Sequence, residues 1–504
     1  NIIADLKQIY QETVERRKTD NKQEALILLS LCIQKNGKTL CPGNLEEFQK
    51  QEWKNRIESF EPKGFGTCSI CGNTGDVYGN VLSAIGLKFA TTDQAGFTYG
   101  LSKKEAWKNY PLCLTCADNV SAGYRYIKNY LTFNKGGKSG IPYSMMVIPN
   151  AISADQLSRF CNLVKRINSK KPSEIVYAED LLGSIADENH DFLSSSISIN
   201  LLFYVANKNE IKIISYVKDV TPSRLKFIYD TAKGIYNDQG TKIKFLGQES
   251  MERIFGYGSK EAEGPFIKED INVRWVTFFL LTFFREGENG PSPKFLDIMG
   301  KIYTNIEYPP DLFSDYLKVI KSNFYITYKL KKVILKALTI NLFMSRITYK
   351  GECVMNEDLE KNENLSGMER FFEETGLTDN GEKAALAGGV LAGRVLRAQR
   401  INRDLKPGQE PFWQEFGDIS TMDIWKLRDI IVKSINKLQE YDYSRYEDIR
   451  FIQEKAASLA LNNSLDNTPR NRIGFYFIAG VVLGESIVPI KYNKMNYEDG
   501  VKNE

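Results

Sequence analysis

The sequence predicts an α+β protein: a mixed N-terminal body with an inserted four-cysteine zinc module, followed by an all-α C-terminal helical bundle. Three observations lead there. Two Cys-x-x-Cys pairs, Cys68-Ser-Ile-Cys71 and Cys113-Leu-Thr-Cys116, bracket the insertion Thr74 to Leu112. The apolar runs Ile197 to Val205 and Ile211 to Val217 flank Asn207-Lys208-Asn209, a β-hairpin signature. From Gly381 onward the apolar residues recur at helical spacing, with little strand pattern between them.

In chain order, Ile2, Ile3, Leu6, Ile9, Tyr10 and Val14 have a helical period, and Ala25 to Ile33 is an apolar strand or buried helix. Gln34 to Lys63 is polar and punctuated by Pro42, Gly43 and Pro62. Inside the cysteine module, Leu87 to Asp93 reads as a strand and Gly96 to Gly100 as an aromatic–glycine loop. A helix follows from Leu101 to Lys108, with Ser102 and Glu105 as its capping box. Ala117 to Leu131 continues as helix. Lys135-Gly-Gly-Lys-Ser-Gly140 is a basic loop that ends like a phosphate-binding loop, but Thr132 stands where that motif needs glycine. A solvated loop, or one lying on a phosphate backbone, is the better reading.

Tyr143 to Ile148 is a strand, Ser153 to Asn168 a helix, and Asp219 to Arg224 a turn whose Pro222 suits a helix start. Trp275 to Arg285, Phe295 to Tyr308 and Leu312 to Thr327 read as helices. Lys329, Lys331, Lys332 and Lys336 decorate another running towards Leu342, ordinarily a solvated face. Residues 351–367 are polar and form the expected linker. Gly381 to Arg403, Trp425 to Glu440, Arg450 to Leu461 and Arg472 to Val488 complete the bundle. The expected division is therefore 1–64, 65–131, 132–350, the linker 351–367, and 368–504.

Two residues between cysteines aim both thiolates of a turn at one metal ion. Two such turns make the closed, all-sulfur tetrahedron typical of structural Zn2+. A redox dithiol needs only one pair after a strand of a βαβ unit, and catalytic zinc needs an open position that four thiolates deny. Cys68, Cys71, Cys113 and Cys116 are thus expected to be a structural clamp.

The net charge of +4 does not by itself indicate nucleic acid. Placement of the cations is more informative. Arg394, Arg397, Arg400 and Arg403 recur every three residues beside a small-residue stripe, with no carboxylate until Asp404. Such a ribbon is either a solvated face or a nucleic-acid contact. Eight cysteines, four at metal spacing and four scattered, fit a reducing cytoplasm better than a disulfide scaffold. The longest apolar run, Val276 to Phe284, is nine residues, against the roughly 18 needed to span a bilayer. No signal peptide or membrane association is expected, and the chain starts at Asn1 without methionine, as a piece of a longer protein would.

The sole histidine, His190, follows Asp187-Glu-Asn189 in a polar run. One histidine does not build a histidine–aspartate nuclease, and a triad hydrolase would rest on it entirely. No Gly-Gly-Asp-Asp palm and no dinucleotide-binding glycine pattern occurs. The chain reads as non-catalytic.

The block Cys68-Ser-Ile-Cys71, Lys88 to Phe97 and Ala106-Trp-Lys-Asn-Tyr-Pro-Leu-Cys113-Leu-Thr-Cys116-Ala117 resembles the large subunit of type I-B CRISPR Cascade complexes. Leu202-Phe-Tyr204, Ile211-Lys-Ile213 and Lys218 to Leu225 are similar to that family's central strand–turn segment. The helical tail is similar to its small-subunit-like C-terminal domain, which is also produced from an internal start; Met355 and Met368 stand at the right place.

The resemblance implies a role more than a reaction. Such subunits read a protospacer-adjacent motif in duplex DNA, assist guide-directed opening, and dock a helicase–nuclease. The implied partners are guide RNA, target duplex and displaced strand, the complex's backbone and guide-end subunits, and separate small subunits. Lys103, Lys104, Lys108, Lys135 and Lys138 are then expected on backbone phosphates, and the arginine ribbon on the displaced strand. Two alternatives are a polymerase- or cyclase-like CRISPR large subunit and a stand-alone zinc-ribbon DNA-binding protein. The first requires palm carboxylates; the second requires a compact basic recognition helix beside the cysteines.

Overall fold

The computed structural model describes residues 33–35, 38–87, 103–134, 144–151, 153–169, 197–207, 210–238, 274–284, 292–304, 312–323, 327–348, 366–461 and 467–489. The expected helix 2–17, the strand 87–93 beyond Leu87, the loops 96–100 and 135–140, His190 and most of the linker 351–367 lie outside them. The chain divides into two compact units, residues 1–125 and 126–504.

The first unit is built on hairpins. Strands β1 (Ile33–Lys35) and β2 (Lys38–Leu40) pair antiparallel, as do β3 (Lys63–Thr67) and β4 (Thr74–Tyr78), in the register Lys63↔Tyr78 to Thr67↔Thr74. Between them lies helix α1 (Glu46–Ser59), within the stretch read from sequence only as polar. Its sequence has no apolar stripe, and none of its residues is buried. An Arg56–Asp118 ion pair of 2.6 Å instead ties it to helix α2 (Leu114–Tyr130), whose first turns belong to this unit. Phe60, Val77, Tyr78, Val81, Leu112 and Ala117 form the small core.

The second unit starts with a four-stranded antiparallel sheet ordered β5 (Thr132–Asn134), β6 (Ser144–Ala151), β7 (Ile197–Asn207), β8 (Glu210–Val220). The expected hairpin is β7–β8. Helix α3 (Ala154–Ser169) follows β6, and α4 (Pro222–Asp238) follows β8 with Pro222 in its first turn, as that residue's fixed φ favours. Arg224, on α4, donates to the Ile302 carbonyl at 2.9 and 3.0 Å and to the Ile347 carbonyl at 2.9 Å. These carbonyls end α6 (Pro293–Thr304) and α8 (Thr327–Thr348), where a cation complements the helix dipole. Helices α5 (Arg274–Phe283) and α7 (Leu312–Ser322) complete the central body.

The C-terminal helices are α9 (Gly367–Glu374), α10 (Asn380–Arg403), α11 (Ile424–Glu440), α12 (Glu447–Ala460) and α13 (Arg470–Ile487). Helices α10 and α13 meet almost backbone to backbone: a Cβ on Gly389 would stand 2.0 Å from the Phe477 carbonyl oxygen, and one on Gly480 2.1 Å from that of Leu386. The small-residue stripe of α10 is thus a packing surface. Central and C-terminal helices share one core that runs from Leu131 to Val488. On α7 and α13, the Phe313 and Phe475 rings lie 5.3 Å apart and those of Tyr316 and Phe475 5.6 Å apart. The bundle changes the type of fold without starting a separate core.

Candidate metal centre

Strands β3 and β4 end in the first knuckle. Cys68 follows β3, its N–H donates to the Asn73 carbonyl at 2.9 Å, and its own carbonyl accepts from Gly72 at 3.0 Å. Gly72 makes that turn possible at φ +74°, in the left-handed region. The second knuckle opens α2: the Ala117 N–H donates to the Cys113 carbonyl, and Cys116 lies in the helix's first turn. Two backbone links lock the knuckles together. Ser69 N–H reaches the Pro111 carbonyl at 2.8 Å, and Tyr78 and Leu112 exchange bonds of 2.8 and 3.2 Å.

The outcome is a four-sulfur cluster. The Sγ atoms of Cys68, Cys71, Cys113 and Cys116 all lie within 4.8 Å of one another, and Cys71 Sγ is 3.8 Å from Cys113 Sγ. A tetrahedron with ~2.3 Å zinc–sulfur bonds has edges of ~3.8 Å. The donor set therefore fits one tetrahedral dication, and these four residues would hold it. Burial opposes charge on Cys68, yet N–H groups of Cys113, Cys71 and Ile70 outweigh it and draw the thiol down to about 6. Burial, then the neighbouring thiols of Cys113, Cys68 and Cys71, pushes Cys116 up to about 12. Sulfurs this crowded do not all ionise together without a cation between them.

Trp107, read from sequence only as part of the helix 101–108 and of the family block, closes the module. Cβ atoms on Gly64 and Gly79 would both fall 2.1 Å from Trp107, on its ring and its backbone N respectively. The indole therefore lies on the bare face of β3. The signal was legible in Lys63-Gly-Phe-Gly-Thr67, whose alternate glycines leave one face of a strand without side chains.

The expected nucleic-acid residues divide. Lys103, Lys104 and Lys108 lie on a 3₁₀ turn, Lys103–Lys108, where an α-helix was expected. Glu105 there pairs with Lys108 at 2.5 Å. Lys104 and Lys108 are exposed; Lys135 and Lys138 lie outside the described residues. The arginine ribbon of α10 is not a free strip. Arg394 is buried and donates to the Val488 carbonyl. Arg397 pairs with Glu485 at 2.6 Å and Arg400 with Glu410 at 2.7 Å, and only Arg403 of the four is exposed. Arg394 and Arg400 line a cavity of about 230 Å³ with Lys331, but Glu410 and Glu485 line it too and offset the cations. Spacing along α10 placed the arginines correctly. It carried no information on the carboxylates that reach them from the 410 turn and from α13.

Comparison with known proteins agrees with the reading from sequence as far as a CRISPR-associated protein. The central domain of the family described as CRISPR-associated protein TM1802 matches residues 65–220, which contain the whole metal centre. The C-terminal domain of the same family matches residues 278–495. No curated protein matches the chain. No described helix is long and apolar enough to cross a membrane. With both domains of one family found in order along most of its length, the chain belongs to the TM1802 family of CRISPR-associated proteins.

Proposed function

We propose that the chain is the non-catalytic large subunit of a type I-B CRISPR surveillance complex. In this reading it recognises the protospacer-adjacent motif in target duplex, supports guide-directed opening, holds the displaced strand, and helps recruit a helicase–nuclease in the cytoplasm. The observation that carries it is the coincidence of the family's central domain with a clamp able to bind zinc, built from two backbone-locked knuckles. A rigid clamp of this kind presents a fixed surface to duplex DNA, while guide pairing supplies sequence specificity. The lone histidine and the absence of a palm signature in the sequence favour a binding role. Backbone, guide-end and small subunits, guide RNA and target DNA are the partners this role requires.

The test is co-expression with the neighbouring CRISPR genes and a guide array. The chain should co-purify with a guide RNA of one defined length. A chain that elutes alone, or that cleaves nucleic acid or turns over nucleotide by itself, would overturn the reading.

A further inference from the structure

Helix α11 buries Ile424, Leu427, Ile430, Ile431, Ser434 and Leu438, and Trp425 lies off that stripe with 69% of its surface exposed. An indole left in water loses the largest apolar burial available to any side chain, so its exposure asks for a ligand. Its surroundings are cationic. The Arg428 guanidinium lies 4.9 Å from the Trp425 ring centroid, held there because its Nε donates to the Ala460 carbonyl at 2.8 Å. Lys426 follows Trp425 directly. Arg470, itself 67% exposed, reaches over from α13 to Asp423, the N-cap two residues before Trp425, at a loose 3.8 Å. Val432, seven residues further along α11, and Leu461, next to the Ala460 that anchors Arg428, are exposed as well. Asp423 and Asp429 are the nearby anions: Asp423 accepts from the Lys426 N–H as helix cap, and Asp429 lies 3.5 and 3.0 Å from Lys426 and Lys433.

We propose that Trp425 is a stacking platform for a base of single-stranded nucleic acid, with Arg428 fixing the indole and Lys426 and Arg470 facing the flanking phosphates. The proposal rests on the reading of the chain as part of a nucleic-acid-guided complex and moves the strand-holding surface from the arginine ribbon of α10 to the start of α11. A fixed aromatic face beside mobile cations is the combination that binds single strands without reading sequence, because every base has a π-face and every link a phosphate. Three of the ribbon's four arginines are committed to Glu410, Glu485 and the Val488 carbonyl and do not offer that combination.

The experiment measures binding of the full chain to labelled oligothymidylate and oligouridylate by fluorescence anisotropy across a salt series. Trp425→Ala should weaken binding at least about fivefold, and Trp425→Phe, which keeps a π-face, should stay close to wild type. Trp425→Ala should leave the salt slope unchanged, whereas Arg470→Gln should lower it by about 0.7. Photocrosslinking of 5-iodouracil oligonucleotides to the wild-type chain should label the peptide that carries Trp425, whatever the variants do to stability. The weaker of the two oligonucleotides, DNA or RNA, identifies the strand that is not the natural one. Wild-type affinity in Trp425→Ala, or crosslinks confined to other peptides, would overturn the proposal. So would unchanged oligonucleotide binding with loss of a co-purifying subunit, which would make the patch a protein interface. Those results leave co-purification with guide RNA intact; loss of guide RNA with the stacking results upheld would instead defeat the functional reading alone.

Discussion

Arg400 Nε lies 2.7 Å from a carboxylate oxygen of Glu410, whose side chain is 1% exposed. The same carboxylate accepts from the Gly408 N–H at 2.6 Å and from Trp413 Nε1 at 3.0 Å, so two hydrogen-bond donors and one ion pair hold it. Arg400 is its only cation among these partners. Arg400→Ala should therefore destabilise the chain by about 3 kcal/mol, because it leaves an uncompensated buried carboxylate. Arg400→Met with Glu410→Gln should recover most of that loss. Urea unfolding of the two variants checks it, and equal stability of Arg400→Ala and wild type would show that the pair is not needed.

The metal centre makes a second prediction. Cys113→Ser or Cys116→Ser should lower bound zinc from about one ion per chain to none, since three thiolates hold zinc far less tightly than four. Limited proteolysis should then cut within the first unit while the second, with its own core, stays protected. Elemental analysis and mass mapping of the fragments report both outcomes. A serine variant that keeps its zinc, or an unchanged digest, would contradict the clamp.

Close packing of α10 on α13 predicts intolerance at glycine. Gly389→Ala places a methyl 2.0 Å from the Phe477 carbonyl oxygen, which is backbone and does not move aside cheaply. The expected cost is about 3 kcal/mol or more. Gly123→Ala, on α2 with open space around its Cβ, should instead be neutral or slightly stabilising. Thermal melting of the two single variants separates the cases.

Glu382 supplies a pH dependence. Burial pushes its carboxyl up to about 7, Arg472 at 2.8 Å pulls it back, and Asp379 adds to the rise. A carboxyl whose folded pKa is raised binds its proton more tightly in the folded chain. Its contribution is therefore greatest below the unfolded value near 4.5 and is lost as pH rises through about 7. Glu382→Gln should flatten the fall in stability between pH 5 and 7, which for this group amounts to about 3 kcal/mol at most. Denaturation midpoints of both proteins across that range decide it, and parallel curves would contradict the assignment.

The lysines of the 3₁₀ turn are the remaining nucleic-acid candidates of the first unit. Changing Lys103, Lys104 and Lys108 to alanine should weaken duplex binding similarly for all targets and reduce the salt slope by up to about 3. Titrations on two unrelated duplexes at several salt concentrations test it. A change in sequence preference would make them base readers, and unchanged affinity would make them plain surface.

Sequence periodicity revealed elements whose side chains separate into faces. The β7–β8 hairpin and helices α10 to α13 were legible for that reason, and the four cysteines through their two-residue spacing. Helix α1 was not, because Phe48 and Trp53 are both exposed and its ties to the module, the Arg56–Asp118 pair, the Asn80 side chain on the Ser59 carbonyl and Ile57 against the small core, sit at its C-terminal end and include partners distant in sequence. The arginine ribbon shows the same limit from the other side. Its spacing was right, but Glu410 and Glu485 enter from elements that only the tertiary fold brings near. Residues 103–108, read as helix, form a 3₁₀ turn that sets Trp107 against the bare glycine face of β3, a constraint outside local propensity.

The most direct measurement of the account is equilibrium binding of the reconstituted guide complex, with and without this chain, to duplexes that share one guide-matched target and differ only in the flanking motif. With the chain present, affinity should vary at least about tenfold across flanks, the scale of one good base-reading contact; without it, affinity should fall and the dependence on the flank should vanish. The same motif dependence in the complex that lacks the chain would contradict the assignment of motif recognition to this subunit.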